Sequence, residues 1–95
     1  MAPRIPNDPL RDPVALALAA LAATLGIERR AQRFIDLTGI GTDELRRRID
    51  DPAVLGALLR FLEAYEPDLL AVAEELGVEP PELVEARRML EEGSA

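Results

Sequence analysis

Apolar and polar positions along the chain fall into short helical stretches separated by acidic caps, prolines and glycines. Asp12-Pro13 is a capping residue followed by proline at the first helical position. The Ala- and Leu-rich run behind it predicts a helix over Pro13–Leu25, stopped by Gly26. The next stretch, ERRAQRFIDL, predicts a helix from Glu28 to Leu37, ending at Gly39. Ala31, Phe34, Ile35 and Leu37 form its apolar stripe, with Arg29, Arg30 and Arg33 toward the other face. Thr42 caps a short third helix, Asp43 to Ile49, in which Leu45 and Ile49 are four apart and turn inward together. Asp51-Pro52 repeats the first device and opens a fourth helix, PAVLGALLRFLEAYE. Val54, Leu55, Leu58, Leu59, Phe61, Leu62 and Tyr65 cover more than half of its circumference, which marks a helix central to the domain. Pro67 opens a fifth helix, PDLLAVAEEL, closed by Gly77. Glu79-Pro80 opens a sixth that reaches about Glu92, with Leu83, Ala86 and Leu90 inward.

The alternation expected of strands is missing, and no internal repeat is visible. Five or six short helices with tight connections make a compact all-α bundle. Residues 1–11, with three prolines at three-residue spacing, read as an extended or disordered arm; 12–92 form one helical domain, and 93–95 a disordered tail.

Composition narrows the chemistry more than the fold. The 95 residues hold three aromatics, Phe34, Phe61 and Tyr65, so the core must be aliphatic. Cys, His, Trp and Lys are absent, and all eleven basic residues are arginine. Disulfides, thiolate zinc sites, imidazole bases and lysine Schiff bases are therefore excluded. Carboxylates, arginines, Tyr65 and the hydroxyls of Thr24, Thr38, Thr42 and Ser94 remain, which points away from an enzyme and from any cofactor. Lack of cysteine fits a reducing cytoplasm. The apolar run VALALAALAATLGI is shorter than the roughly 20 residues that span a bilayer. Its proline- and aspartate-bearing front end is not that of a secretory signal, so neither membrane nor export is expected.

The net charge of −7 is uneven. Residues 28–49 carry six arginines against four acids, and 50–95 carry three arginines against twelve. An acidic chain repels nucleic acid overall, so an anionic partner would have to use the middle segment. The candidate interaction patch is Arg29, Arg30, Arg33, Arg46, Arg47 and Arg48, with pairing to Glu28, Asp36, Asp50 and Asp51 as the plainer account of the same residues.

Three segments resemble known motifs. LTGIGTDELRRRI is similar to a helix–hairpin–helix, whose Gly-apolar-Gly turn offers N–H groups to a DNA phosphate. Leu45 stands where that motif keeps a small residue, and Asp43 and Glu44 already satisfy the positive end of the next helix. Gly39 to Glu44 is also similar to the calcium loop of annexins, which is completed by a carboxylate well downstream, where Glu79 and Glu82 stand. The loop lacks the cluster of side-chain oxygens calcium prefers. LLAVAEELGVEPPELVEARRML resembles a DNA-binding helix-turn-helix, with Ala73 and Gly77 at the turn and Val72, Leu76, Val78 and Leu83 as core. Its second helix opens with Glu79, Pro80, Pro81, Glu82 and Glu85, the wrong chemistry for reading bases. Glu63/Glu66 and Glu82/Glu85 have the spacing of di-metal bundles, which also require histidines, and Glu74/Glu75 is a further acidic pair; all read as solvated faces.

A broader resemblance runs from Val14 to Leu90. The stretches ALALAALAATL, RRAQRFIDLTGI followed by DELRRR, and DPAVLGALLRFLEAYEPDLLAVAEELGVEPPELVEARRML resemble a mainly alphaproteobacterial domain-of-unknown-function family, numbered 3572. Phe34, the Leu37-Thr38-Gly39 turn, Asp51-Pro52, Phe61-Leu62, Glu66 and the Gly77 turn carry the match. The resemblance implies a small cytoplasmic all-helical protein and transfers no functional residue. The expected function is protein–protein interaction or self-association, favoured by an Ala/Leu helix 1 able to expose a stripe to a partner. A nucleic-acid-binding module using the Arg29–Arg48 segment is the alternative.

Overall fold

The computed structural model describes residues 12–93. Six helices follow in order: α1 Pro13–Leu25, α2 Glu28–Thr38, α3 Thr42–Arg47, α4 Pro52–Glu63, α5 Glu66–Leu76 and α6 Pro80–Gly93. No strand occurs among the described residues. The architecture is the all-α bundle that the hydrophobic pattern predicts. The proline-bearing arm, residues 1–11, and the last two residues lie outside the described span, and α6 takes in Gly93 of the expected tail.

Helix ends are set by local chemistry. Asp12 accepts the Val14 N–H at 3.0 Å and Asp51 accepts the Ala53 N–H at 2.8 Å, each ahead of a proline in the first turn. Gly39 (φ 74°) and Gly77 (φ 70°) end α2 and α5 in the left-handed region, where only glycine is unstrained. At Gly77 the Val78 N–H reaches the Ala73 carbonyl at 2.9 Å and the Gly77 N–H reaches Glu74 at 3.1 Å. These are the two bonds of a Schellman turn, and they tuck Val78 into the core. Thr42 does not cap α3: it is the first helical residue, Gly41 precedes it with extended backbone, and no side chain caps the helix.

α4 is the apolar centre, burying Val54, Leu55, Leu58, Leu59, Phe61 and Leu62. α1 lies beside it and touches α2, α4, α5 and α6 through Leu16, Ala17, Ala20 and Leu21. The small alanines let neighbouring helices close in on several sides. Helix 1 is thus a core element rather than the exposed stripe expected of it. α6 closes the bundle with Leu83, Ala86 and Leu90. Phe34 of α2 meets Phe61 edge-on, with centroids 5.4 Å apart and planes at 87°.

Several apolar positions fall elsewhere than the pattern places them. α3 stops at Arg47, so Ile49 sits in the following turn, 42% exposed, and Leu45 alone ties α3 to the core. Leu37, on the last turn of α2, is 64% exposed. Tyr65 belongs to neither neighbouring helix. It precedes α5 with an extended backbone and is 39% exposed. A continuous helix cannot run through it, because Pro67 has no N–H for the Glu63 carbonyl and its ring would crowd that carbonyl. No helix among the described residues is long and apolar enough to cross a membrane.

Candidate functional site

The six candidate arginines separate into two groups, and no ion pair or hydrogen bond joins them among the described residues. The α2 group converges on one buried acid of α5. Asp68 is 2% exposed. Arg29 donates to both its oxygens, at 2.7 Å and 3.5 Å. Arg33 Nη1 lies 3.6 Å from Asp68 Oδ2, and Arg30 Nε lies 3.9 Å from Oδ1. Arg30 also forms a two-pronged pair with Glu75, at 2.7 Å and 3.1 Å, and donates to the Ala23 carbonyl at 3.2 Å. That geometry uses the planar fork of the guanidinium and fastens α2 to α5 and to the end of α1.

Depth distinguishes these three arginines. Arg30 is 4% exposed and enclosed, contrary to its placement on the outer face of α2. It lies four residues before Phe34, on the same side of the helix, and turns inward with it. The Arg29 side chain is 56% exposed and that of Arg33 is 34% exposed. Arg33 is held by aromatic rings as well as by charge: its guanidinium carbon is 4.4 Å from the Tyr65 centroid and 5.4 Å from that of Phe61. Two buried N–H positions, Arg30 Nε and Arg33 Nη1, face Asp68 without reaching hydrogen-bond distance. Hydrogen bonding to Arg30, opposed by partial burial, holds the Glu75 carboxyl below its ordinary value. The bond to Asp68 and its charge raise Arg29. The outer edge of α2 forms an open groove of about 530 Å³ lined by Glu28, Arg29, Gln32, Arg33 and Asp36.

The α3 group is looser. Arg48 bridges Glu44 at 2.7 Å and Asp51 at 2.9 Å. Arg46 stands 3.9 Å from Asp43, both nearly fully in solvent, and Arg47 has no ion pair among the described residues. The Ala53 N–H and then Arg48 depress Asp51, whose carboxylate also caps α4.

The motif-bearing segments serve the fold. Gly39 closes α2 through its N–H to the Ile35 carbonyl at 2.9 Å, while Thr38 accepts the Ile40 N–H at 3.1 Å. The turn N–H groups are thus partly used within the protein. In the helix-turn-helix look-alike, Val72, Ala73, Val78 and Leu83 are all buried, so its resemblance is one of packing. Glu82 reaches back to the Glu79 N–H at 2.7 Å, a capping-box contact. Glu63 and Glu66 fall on different helices, and Glu63 is bound by Arg87 at 2.6 Å. Arg87 also binds Glu91 at 2.8 Å, and Glu91 receives Arg60, which ties α4 to α6. No group of three metal-binding side chains occurs among the described residues.

Sequence reading missed Asp68 and Tyr65, the two residues that organise the α2 arginines. Asp68 lies 39 positions from Arg29, and no local periodicity announces a pairing over that distance. No curated protein and no solved structure matches this chain. The model of a family described as "protein of unknown function (DUF3572)" matches residues 11–93, and the chain belongs to that family.

Proposed function

We propose that this is a cytoplasmic, cofactor-free and non-enzymatic helical protein that acts by binding another protein, with Arg29, Arg33 and Tyr65 as the contact. The observation that carries the reading is the stack of Arg33 on Tyr65 at 4.4 Å, anchored from below by the buried carboxylate of Asp68. Tyrosine and arginine dominate the residues that supply binding energy in protein interfaces. Side chains already held in place lose less entropy on binding. Here both are partly exposed, and Arg33 also lines the groove along α2.

Charge favours a protein over a nucleic acid as partner. Arg29, Arg30 and Arg33 stand among Glu28, Asp36, Asp68 and Glu75, three charges against four. Arg46, Arg47 and Arg48 stand among Asp43, Glu44, Asp50 and Asp51, again three against four. Non-specific binding to a duplex needs a net excess of cations facing several phosphates, and neither group offers one.

The test is photocrosslinking in the native cell from a reactive residue placed at Gln32, inside the groove. A discrete adduct is expected, to a second copy or to a different protein, and it should disappear in Arg29→Glu and Tyr65→Ala. Light scattering identifies the self-associating case. A monodisperse monomer together with an adduct pattern unchanged by both substitutions overturns the reading. Fluorescence anisotropy with duplex DNA and RNA at low salt tests the nucleic-acid alternative. Salt-dependent binding at micromolar protein would revive it.

A further inference from the structure

α3 is attached to the bundle differently from the other helices. The principal helix–helix packings join α1, α2, α4, α5 and α6, and α3 takes part in none of them. It is six residues long, and Leu45, 4% exposed, is the one side chain it buries. Its polar links are local: Arg48 binds Glu44 and Asp51, and Arg46 faces Asp43. Among the described residues, no ion pair or hydrogen bond ties 42–50 to α1, α2, α5 or α6. On one side the chain leaves α2 through Gly39, at φ 74°, and Gly41, both in open space. On the other, Ile49 and Asp50 are exposed, and the chain is fixed again at Asp51, which caps α4 through the Ala53 N–H. Burial of one leucine shifts an equilibrium by about 10- to 150-fold. Against it, every residue set free regains backbone entropy, and so short a helix does not persist alone. Unfolding a whole domain has an equilibrium constant of about 10³–10⁸, so release of this segment is far easier than loss of the fold.

We propose that residues 40–50 are a flap that opens as one unit within the native fold, while α1, α2 and α4 to α6 stay in place. It leaves α2 at the Gly39 hinge and rejoins the bundle at Asp51. Opening withdraws Leu45 from the core and releases Ile40, which is partly buried against it. Leu37 and Ile49, at the two ends of the segment, are exposed already. The open form therefore presents four apolar side chains in one short stretch and leaves a leucine-sized slot in the core. Arg46, Arg47 and Arg48 travel with the flap and become accessible as extended chain. The groups of the partner reading, Arg29, Arg33 and Tyr65, lie outside the flap, so the two proposals stand or fall separately.

Two measurements on the full chain decide it. The first is amide hydrogen exchange by NMR in rising urea, below the unfolding midpoint. The N–H groups of Leu45 and Arg48, bonded to the Gly41 and Glu44 carbonyls at 3.0 Å, report the flap, and those of Leu58 and Leu59 report the bundle. The flap amides are expected to be protected at least about 100-fold less than the α4 amides. They should share one opening constant that hardly changes with urea, because little surface is exposed. Leu90→Val, in α6, should speed the α4 amides about 2- to 10-fold and leave the flap amides unchanged. Flap amides that match Leu58 and Leu59 in protection and urea dependence overturn the proposal. Flap amides with no protection also overturn it, since the closed state is then absent. In the second, the folded chain is treated with trypsin and followed by intact mass. Among residues 12–93, the first cut is expected after Arg46, Arg47 or Arg48, at a rate that Leu90→Val does not change. A first cut at an arginine of α2, α4 or α6 contradicts a separately opening flap.

Discussion

Asp68→Asn keeps the size of a side chain that is 2% exposed and removes its charge. In the native protein that charge faces Arg29 at 2.7 Å, Arg33 at 3.6 Å and Arg30 at 3.9 Å. Asparagine retains one carbonyl acceptor for Arg29, but it turns an amide N–H₂ toward guanidiniums that are themselves donors. Breaking a buried pair and stranding its partner costs about 3–5 kcal/mol. Arg30 is not stranded, because Glu75 still holds it with two bonds. Arg29 and the outer part of Arg33 can turn to water. The expected loss is therefore smaller, about 2–3 kcal/mol, centred on the buried Nη1 of Arg33. A domain of this length has a total stability of about 4–12 kcal/mol. At about 4–8 °C per kcal/mol, Tm should fall by roughly 8–24 °C. Urea unfolding followed by far-UV circular dichroism measures the first quantity and a thermal scan the second. Glu75→Gln is the control: its side chain is 43% exposed, so solvent screens the pair and the loss should be only about 0.5–1 kcal/mol. An Asp68→Asn loss below about 0.5 kcal/mol, or one no larger than that of Glu75→Gln, refutes the view that Asp68 is the anchor of the α2 arginines.

The two glycines of the hairpin look-alike should behave differently. Gly39→Ala should cost about 1–2 kcal/mol in urea unfolding because of its left-handed backbone, although a Cβ there meets nothing within 4 Å. Gly41→Ala, at φ −84° and in equally open space, should be neutral or slightly stabilising. Equal losses at both sites would point to a shared structural role for the pair. Phe34→Ala should cost about 3–5 kcal/mol in urea unfolding, since the ring is fully buried against Phe61. The carboxyls of Glu75 and Glu91 lie below their ordinary value of 4.5, held there chiefly by Arg30 and Arg60 respectively. Their stabilisation is therefore complete above that pH and is lost as pH falls through the depressed values. Urea midpoints at successive pH values from neutral downward should drop below about pH 4.5, and Glu75→Gln should flatten part of that drop.

Helix boundaries were readable because their causes are local. Asp12-Pro13 and Asp51-Pro52 carry a cap and a proline in adjacent positions, and Gly39 and Gly77 mark ends that only a left-handed residue can make. The errors have local causes too. Tyr65 continues the apolar spacing of α4, but Pro67 ends that spacing as structure before it ends as pattern. Ile49 keeps a four-residue interval from Leu45, but α3 has closed by Arg47. Arg30 is the more instructive residue. Its charge argues for the surface, its four-residue interval to Phe34 argues for the interior, and the interior prevails because Glu75, Asp68 and the Ala23 carbonyl are there to receive it. None of those partners can be located from the α2 sequence alone, since they arrive on other helices through the packing of the apolar faces. The arginines of α2 are thus one chemical type in the sequence and three environments in the fold. Arg30 is consumed by the core, Arg29 is fixed but exposed, and Arg33 stands between them against an aromatic ring. Only the last two remain available to a partner. What makes them distinctive is the buried acid behind them and the tyrosine beside them, rather than their number, and a census of positive charge along the chain contains neither.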